Sequence, residues 1–380
     1  MEEEQHKPKK SQIVLVLQGG GAPGAYQAGV YQGLHEAGIE PDWVIGTSIG
    51  AVNGALIACN PPEQRLEKLN RFWRIVAQPA PSDAFSPFAG GFPLFAGAWA
   101  KTTALLRGIP GFFAVNPMAA LGVMAPLGPE HAAFYTAAPL IKTLTGLLDF
   151  DYVNARHTRL TVGAVNVESG HIKYFDSRHM KLSLDHVMAS GALPPAFPAV
   201  DVEGKPYWDG GIYSNTPVEV VLDDNPRKDS LIFAVNLWQT RGKTPDSIWQ
   251  ALGRLKEIQY ASRVRSHIAR QEQLHRLRHV IRELAGLLPA DRRNDPRIRE
   301  LSDYGCETTM HLVALLAPRL PGDDQNKDID FSSAGIAAHW QAGLADIKRS
   351  LEAKPWARET GSLEGIVIHE MRPPEPAPGA

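Results

Sequence analysis

Two strand–turn–helix units in the first 60 residues constrain the fold of this chain more than any other feature. The apolar run IVLVLQ at residues 13–18 ends in three glycines, and apolar positions then recur at helical spacing up to Gly38. The run DWVIG at residues 42–46 is followed in the same way by IGAVNGALIAC. Consecutive units of this kind are typical of a parallel sheet with helices on its faces. We therefore predict an α/β protein with a three-layer core and a central, mostly parallel sheet.

The remaining sequence divides into segments of different composition and periodicity. Residues 78–145 are rich in Pro, Gly, Ala and Phe, which predicts either an irregular cap over the core or an apolar lid over a lipid-binding cleft. Residues 247–288 carry a long helical pattern that predicts one or two helices, and the runs MHLVALLAP and EGIVIHEM are each compatible with a late strand. We divide the chain into a disordered N-terminus (1–11), a main domain (12–240) that includes the cap or lid (78–145), a mainly helical extension (241–372) and a disordered Pro-rich tail (373–380).

Charge and cysteine content narrow the class of protein. A formal net charge of −2 gives no overall attraction to nucleic acid, so we expect no nucleic-acid partner. Cys59 and Cys306 are too few for a disulfide framework and indicate a reducing compartment, although one bridge between them stays open. The start MEEEQHKPKK lacks the features of a signal peptide. We expect a cytoplasmic protein, either free or bound peripherally to a membrane; whether it forms a homo-oligomer stays open.

The pentapeptide GTSIG places Ser48 between Gly46 and Gly50, after a predicted strand and before a predicted helix. This context is typical of a nucleophile elbow, in which a strained turn projects the serine hydroxyl at the carboxyl edge of the sheet. The helix that follows directs its free N–H groups toward the site. The alternative is a small-residue helix cap in which Ser48 or Thr47 has no chemical role.

The glycine turn, which we define as residues 19–24 with the sequence GGGAPG, allows two interpretations. Gly19, Gly21 and Gly24 fit the dinucleotide fingerprint G-x-G-x-x-G, but the second strand lacks the acidic residue at its end that such a site uses. Bare amides of consecutive glycines also suit an oxyanion hole. We predict the oxyanion hole, with Gly19, Gly20, Gly21 and Gly24 as its members, and leave nucleotide binding as the alternative.

A base for the serine is predicted in the segment KPYWDGGIYSNTP, which we interpret as a turn-rich loop. Asp209 is followed by Gly210 and Gly211, which allow a carboxylate to approach another loop closely. Partial burial would raise its pKa and make it a better proton acceptor. The alternative is an ordinary Asp-Gly turn. Three histidines in the middle of the chain have only ordinary polar neighbours: His171, His179 and His186.

The three motifs, in their order and spacing, resemble those of the patatin-like phospholipases. GGGAPG, GTSIG and DGG correspond to the pattern GGGxxG … GxSxG … DG(A/G), and ASGALPPAFPAV resembles the segment that leads to the catalytic Asp. The resemblance covers residues 12–240 and implies a Ser–Asp dyad with Ser48 as nucleophile and Asp209 as general base. It also implies oxyanion donors in the glycine turn and hydrolysis of lipid acyl esters through an acyl-enzyme. Nothing in it calls for a metal or cofactor, and no His/Cys/Asp cluster in the sequence has ligand spacing.

Two departures limit what the resemblance implies. The family usually has Lys or Arg where this chain has Pro23, so we expect neutral esters to be favoured over anionic ones. The extension past residue 240 resembles that of some bacterial members. Within it, residues 254–283 carry eight basic and three acidic residues, which fits a membrane-surface helix, a subunit contact or a solvated face. A non-catalytic lipid-binding or regulatory protein on the same fold remains the rival to an enzyme.

Overall fold

The computed structural model describes residues 11–78, 107–320, 323, 327–358, 361 and 363–371. Residues 79–106 of the predicted cap, residues 1–10 of the predicted disordered N-terminus and the predicted disordered tail lie outside these ranges. The strands are β1 Gln12–Leu17, β2 Trp43–Gly46, β3 Ala114–Val115, β4 Tyr135–Thr136, β5 Arg159–Asn166, β6 Ile172–Asp176, β7 Val200–Val202, β8 Lys205–Asp209, β9 Ser230–Asn236, β10 Met310–Leu316 and β11 Ile366–Met371. The helices are α1 Ala25–Glu36, α2 Ile49–Ala58, α3 Pro62–Val76, α4 Ala138–Thr145, α5 Phe150–Asn154, α6 Leu184–Ser190, α7 Glu219–Leu222, α8 Ile248–Leu287, α9 Ala290–Arg293, α10 Pro296–Ser302 and α11 Ser333–Ala353.

One large sheet organises the described chain, and most of its strand pairs are parallel. Strands β11, β10, β9, β1, β2 and β5 lie side by side in that order, each parallel to the next. Within this sheet, antiparallel pairing is confined to the contacts of β5 with β6 and β8 and to the β7–β8 hairpin. The mostly parallel sheet predicted from the first two strand–helix units is confirmed.

Both faces of the sheet are buried, which makes the core three layers deep. Along β1, Leu15 and Leu17 belong to one apolar cluster, and Val14 and Val16 belong to the other. Successive side chains of a strand point to opposite faces, so each face of β1 carries its own core. A strand buried on both sides needs a continuous apolar run, and IVLVL is such a run.

The C-terminal region is mainly helical, as predicted, but it also extends the main sheet. Strands β10 and β11 continue the sheet beyond β9. Helix α11 packs on α1 at close range, and glycine on each helix makes this possible. A Cβ on Gly29 would lie 1.9 Å from the Trp340 carbonyl oxygen, and a Cβ on Gly343 would lie 2.0 Å from the Tyr26 carbonyl oxygen. Segments before and after residue 241 therefore share one sheet and one helix pair.

The long helical pattern predicted for residues 247–288 forms the single helix α8, with the Ser247 hydroxyl capping it by accepting a hydrogen bond from the Gln250 amide. None of the helices in the described ranges combines the length and the apolar composition needed to cross a bilayer. Cys59 and Cys306 are both free thiols, so the bridge that the sequence left open does not form.

Candidate active site

Ser48 lies in a strained turn between β2 and α2, as the elbow motif predicts. Its φ of 56° and ψ of −125° lie outside the regions that residues with a side chain usually adopt. A Cβ on Gly46 would lie 2.2 Å from the carbonyl oxygen of Gly50, and a Cβ on Gly50 would lie 2.2 Å from that of Leu17. Only glycine fits at either flank, because Gly46 packs against the start of α2 and Gly50 packs against the end of β1.

Strand β5 aligns the serine with its predicted base. Strand β6 pairs with both Thr161 and Ala164 on one side of β5. On the other side, Thr161 pairs with β2 and Ala164 pairs with β8, so β2 and β8 lie on the same side of β5. There β2 ends with Gly46 opposite Val162, and β8 ends with Asp209 opposite Ala164. The two strand ends therefore point at each other, separated by about 7 Å along β5. The interpretation of this segment as a loop is wrong for residues 205–209, which form β8.

The Ser48 hydroxyl faces the Asp209 carboxylate as a hydrogen-bond donor and lowers its pKa. The Asp209 Oδ1 also accepts a hydrogen bond from the Gly211 amide at 2.7 Å, and the side chain is almost fully buried at 2% exposure. Burial raises the pKa of Asp209 to about 7, against the opposing effect of these two hydrogen bonds. A Cβ on Gly210 would lie 2.3 Å from the Gly163 carbonyl oxygen, so glycine at this position lets β8 lie close to β5.

The glycine turn reaches the same site because β1 and β2 are neighbours. Leu17 pairs with Gly46, so the turns that follow the two strands leave the sheet side by side. No acceptor in the described ranges takes the amides of Gly20 and Gly21, and both residues line the cavity described below. The amide of Ile49, the first residue of α2, is likewise without an acceptor in those ranges. Sequence reasoning did not single out this third amide.

Two of the four predicted oxyanion donors need correction. The Gly19 amide already donates to the Asn215 carbonyl oxygen at 3.2 Å, and the Gly24 amide donates to that of Gly21 at 2.9 Å. Gly24 has a packing role instead, because a Cβ there would lie 2.7 Å from the Ile49 side chain. The glycine turn therefore offers the amides of Gly20 and Gly21, with Gly19 and Gly24 shaping it.

Side chains from outside the motifs fix the position of the glycine turn. The Gly19 carbonyl oxygen accepts hydrogen bonds from Trp238 Nε1 at 2.7 Å and from Asn215 Nδ2 at 3.1 Å. The Gly24 carbonyl oxygen accepts one from Asn53 Nδ2 at 2.9 Å. All three donor side chains are buried. Because its carbonyl groups are held in this way, the glycine turn keeps its amides in a fixed direction when charge develops on a bound oxygen.

Ser48, Asp209, Gly20 and Gly21 open into one cavity of about 310 Å³, near the lower end of the ~300–1,000 Å³ of ligand pockets. Its walls are mainly apolar and come from α2, α6, the segment before β7 and the described part of the predicted cap. The cap residues 107–145 contribute Phe112 and Phe113, which pack against Phe331 and Phe197 with ring centroids 5.0 and 5.7 Å apart. This part of the cap therefore forms an apolar wall of the cavity.

The C-terminal region adds residues to the cavity that sequence reasoning missed. Lys256 and Tyr260 of α8 line it, as does Asp328 of the short helix Lys327–Ile329. Lys256 and Tyr260 are four residues apart and therefore share one face of α8. That spacing is visible in the sequence, but it does not say which partner the face meets.

No histidine is among the described residues that line the cavity. His186 instead belongs to a helix-capping arrangement at α6, where its Nδ1 accepts a hydrogen bond from the Ser183 amide. The described side chains include no group of three or more His, Cys, Asp or Glu placed to hold a metal ion. The arrangement thus brings together a hydroxyl, a buried carboxylate and free amides, a set that can perform nucleophilic acyl transfer.

Short stretches of known proteins are similar to this chain. It is 64% identical over 46 residues to lysophospholipase nte1 of Aspergillus terreus, which is 12% of this chain and 3% of that protein. It is 48% identical over 61 residues to patatin-like phospholipase domain-containing protein 6 of Mus musculus, which is 16% of this chain and 4% of that protein. The matched stretches thus span only a few per cent of these relatives.

Two solved structures match this chain at low sequence identity and low TM-score. VipD from Legionella pneumophila has a TM-score of 0.41 and 13% identity, with 91% of this chain and 67% of that chain covered. ExoU from Pseudomonas aeruginosa, in complex with SpcU, has a TM-score of 0.28 and 17% identity, with 93% and 75% covered.

Family models match both parts of the sequence. A model described as patatin-like phospholipase matches residues 15–222, which is more than half of the chain. A second model, described as patatin phospholipase, matches residues 258–362 in the C-terminal region. The first match contains the glycine turn, the elbow and Asp209. The chain belongs to the patatin-like phospholipase family.

Proposed function

We propose that this protein is a serine acyl hydrolase that cleaves lipid acyl esters with a Ser48–Asp209 dyad. The observation that carries the proposal is the position of the Ser48 hydroxyl beside a buried carboxylate whose pKa is about 7, at the wall of an apolar cavity. A carboxylate with an ordinary pKa is a weak base at neutral pH, whereas one near 7 is matched to proton transfer there. The names of the curated relatives, lysophospholipase and patatin-like phospholipase, support the same class of substrate.

The proposed reaction has two halves that use the same groups. Ser48 Oγ attacks the ester carbonyl carbon while the Asp209 carboxylate takes its proton, and the amides of Gly20, Gly21 and Ile49 donate to the developing oxyanion. Collapse breaks the bond to the alcohol, which leaves with the proton from Asp209. Asp209 then takes a proton from water, whose oxygen attacks the acyl-enzyme, and returns it to Ser48 as the fatty acid is released.

The cavity walls support a long-chain acyl substrate. Most of the residues that line the cavity are apolar, and burying an apolar chain against them is favourable at about 25 cal/mol per Å². The acyl chain would lie along these walls with its carbonyl carbon at Ser48. The cytoplasmic location, the peripheral membrane contact and the homo-oligomer stay predictions from the sequence.

Labelling with a long-chain fluorophosphonate tests this function directly. We expect the probe to attach to Ser48 in the wild type, to be lost in Ser48→Ala and to react at least 100-fold more slowly in Asp209→Asn. Ser169→Ala, which changes an exposed serine in the β5–β6 turn, is the matched control and should label normally. Hydrolysis of a monoacylglycerol should follow the same order.

The rival function makes the opposite prediction. A non-catalytic lipid-binding protein would retain fatty acid in the cavity, yet its Ser48 would not react with the probe. Probe attached to another residue of the wild type, located by mass spectrometry, would also contradict the dyad.

A further inference from the structure

The C-terminal region places one cationic side chain in the wall of the cavity. Among the described residues that line it, Lys256 of α8 is the one lysine, and neither arginine nor histidine is present. Its Nζ forms an ion pair with Asp328 Oδ2. The two side chains remain 32% and 18% exposed, so the pair is accessible from the cavity without being fully solvated.

This ion pair lies beside the glycine turn. The short helix Lys327–Ile329 packs on the short helix Ala22–Gly24, and a Cβ on Gly21 would lie 2.2 Å from the Asp328 carbonyl oxygen. The proposed oxyanion donors and the Lys256–Asp328 pair are therefore neighbours in one rigid contact. A substrate whose carbonyl oxygen meets the Gly20 and Gly21 amides has the pair within reach of its polar portion.

Aromatic groups complete this polar end of the cavity. Trp238 and Tyr260 pack with ring centroids 5.4 Å apart and planes tilted by 34°, and Lys256 Nζ lies 5.7 Å from the Trp238 ring centroid. Burial and the charges of Asp209 and Asp328 raise the pKa of Tyr260, so its phenol stays protonated and can donate a hydrogen bond. The acyl chain prefers the apolar walls, which leaves the alcohol portion of the ester for the end that holds Lys256 and Tyr260.

We propose that Lys256 recognises an anionic group, such as a phosphate, on the alcohol portion of the substrate, and that Asp328 limits this preference. The inference rests on the proposed hydrolase function and names the residues that select its substrate. An anionic group gains a charge-assisted hydrogen bond from a partly desolvated lysine, whereas a neutral alcohol does not. The same anion is repelled by Asp328, which also competes for the lysine. The glycine turn has Pro23 and no basic residue, so the proposed cation comes from the C-terminal region.

The test compares two esters with the same acyl chain in the same mixed micelles. One is a lysophosphatidic acid, which carries a phosphate, and the other is the corresponding neutral monoacylglycerol. The readout is the ratio of their kcat/KM values. We expect Lys256→Met to lower the ratio about tenfold, Lys256→Arg to preserve it and Asp328→Asn to raise it. Lys348→Met is the matched control, because Lys348 pairs with Glu36 away from the cavity and should leave the ratio unchanged.

The outcomes separate this inference from the proposed function. If wild type hydrolyses both esters through Ser48 and neither Lys256→Met nor Asp328→Asn changes the ratio, the inference is wrong and the hydrolase stands. If neither ester is hydrolysed and Ser48 takes no fluorophosphonate, the proposed function fails first. Fluorophosphonate labelling of Ser48 also shows whether each variant is folded. If Lys256→Met does not fold, the ratio of kcat/KM values measured with Asp328→Asn decides the test.

A further arm separates a lipid phosphate from free phosphate. Inorganic phosphate should inhibit the wild type only weakly, because it gains nothing from the apolar walls. Strong competitive inhibition by phosphate that Lys256→Met abolishes, without any change in the ester ratio, would mark a free-anion site and overturn the proposal.

Discussion

The Ser48 hydroxyl lies beside Asp209, a carboxylate that burial holds at a pKa of about 7. The contact depends on β5, which pairs with the ends of both β2 and β8 on one side. The proposed nucleophile and the proposed base, which are distant in sequence, thus meet through the register of a third strand. The predictions below follow from this geometry and from the way the C-terminal region completes the sheet.

The rate of ester hydrolysis should rise with pH through the pKa of Asp209. Only the carboxylate form can take the serine proton, so kcat/KM should increase tenfold per pH unit well below 7 and level off above it. A soluble short-chain ester measured from pH 5 to 9 checks this. A profile that is flat across that range, or a rate controlled by a group titrating near 4, would contradict Asp209 as the base.

Asp209→Asn should stabilise the protein while it lowers the activity at least 100-fold. The folded-state pKa of about 7 lies above the ordinary 3.8, so stability conferred by the protonated form is lost as pH rises from about 4 to 7. The variant should therefore gain up to about 4 kcal/mol over wild type above pH 7. Thermal unfolding at pH 8 and pH 5 measures it. The gain should be smaller at pH 5, and an equal gain at both values would rule out the titration.

Gly50→Ala should disrupt the elbow. Its methyl group would lie 2.2 Å from the Leu17 carbonyl oxygen, so either β1 or α2 must shift. We expect a loss of about 3 kcal/mol in unfolding free energy and little Ser48 labelling. Gly286→Ala is the matched control, because it lies in α8 with open space around it and should add about 0.5–1 kcal/mol. Equal stability of the two variants would contradict the close approach.

A chain that ends at residue 240 should not fold as an independent domain. It loses β10 from the edge of β9 and α11 from the face of α1. The exposed strand edge and apolar helix face favour aggregation. We expect insoluble protein, or soluble protein without a cooperative unfolding transition by circular dichroism. A monomeric product with fluorophosphonate-reactive Ser48 would show that the first 240 residues suffice.

The sequence by itself determined the local elements and the likeness to a family. The run IVLVL predicts a strand buried on both faces, and the glycines around Ser48 predict a tight turn, because these properties depend on neighbouring residues alone. GGGAPG, GTSIG and DGG together carried the resemblance to the patatin-like phospholipases. The order of the motifs was visible without any coordinates.

Only the tertiary structure decided which groups meet and which amides are free. Asp209 ends a strand rather than lying in a loop, because it pairs with Ala164 of β5, a segment distant in sequence. Gly19 was excluded as a donor by a carbonyl of Asn215, far along the chain. Lys256, Tyr260 and Asp328 reach the cavity because the C-terminal region packs on the sheet. Such contacts arise from the packing of distant segments, which local pattern and composition do not encode.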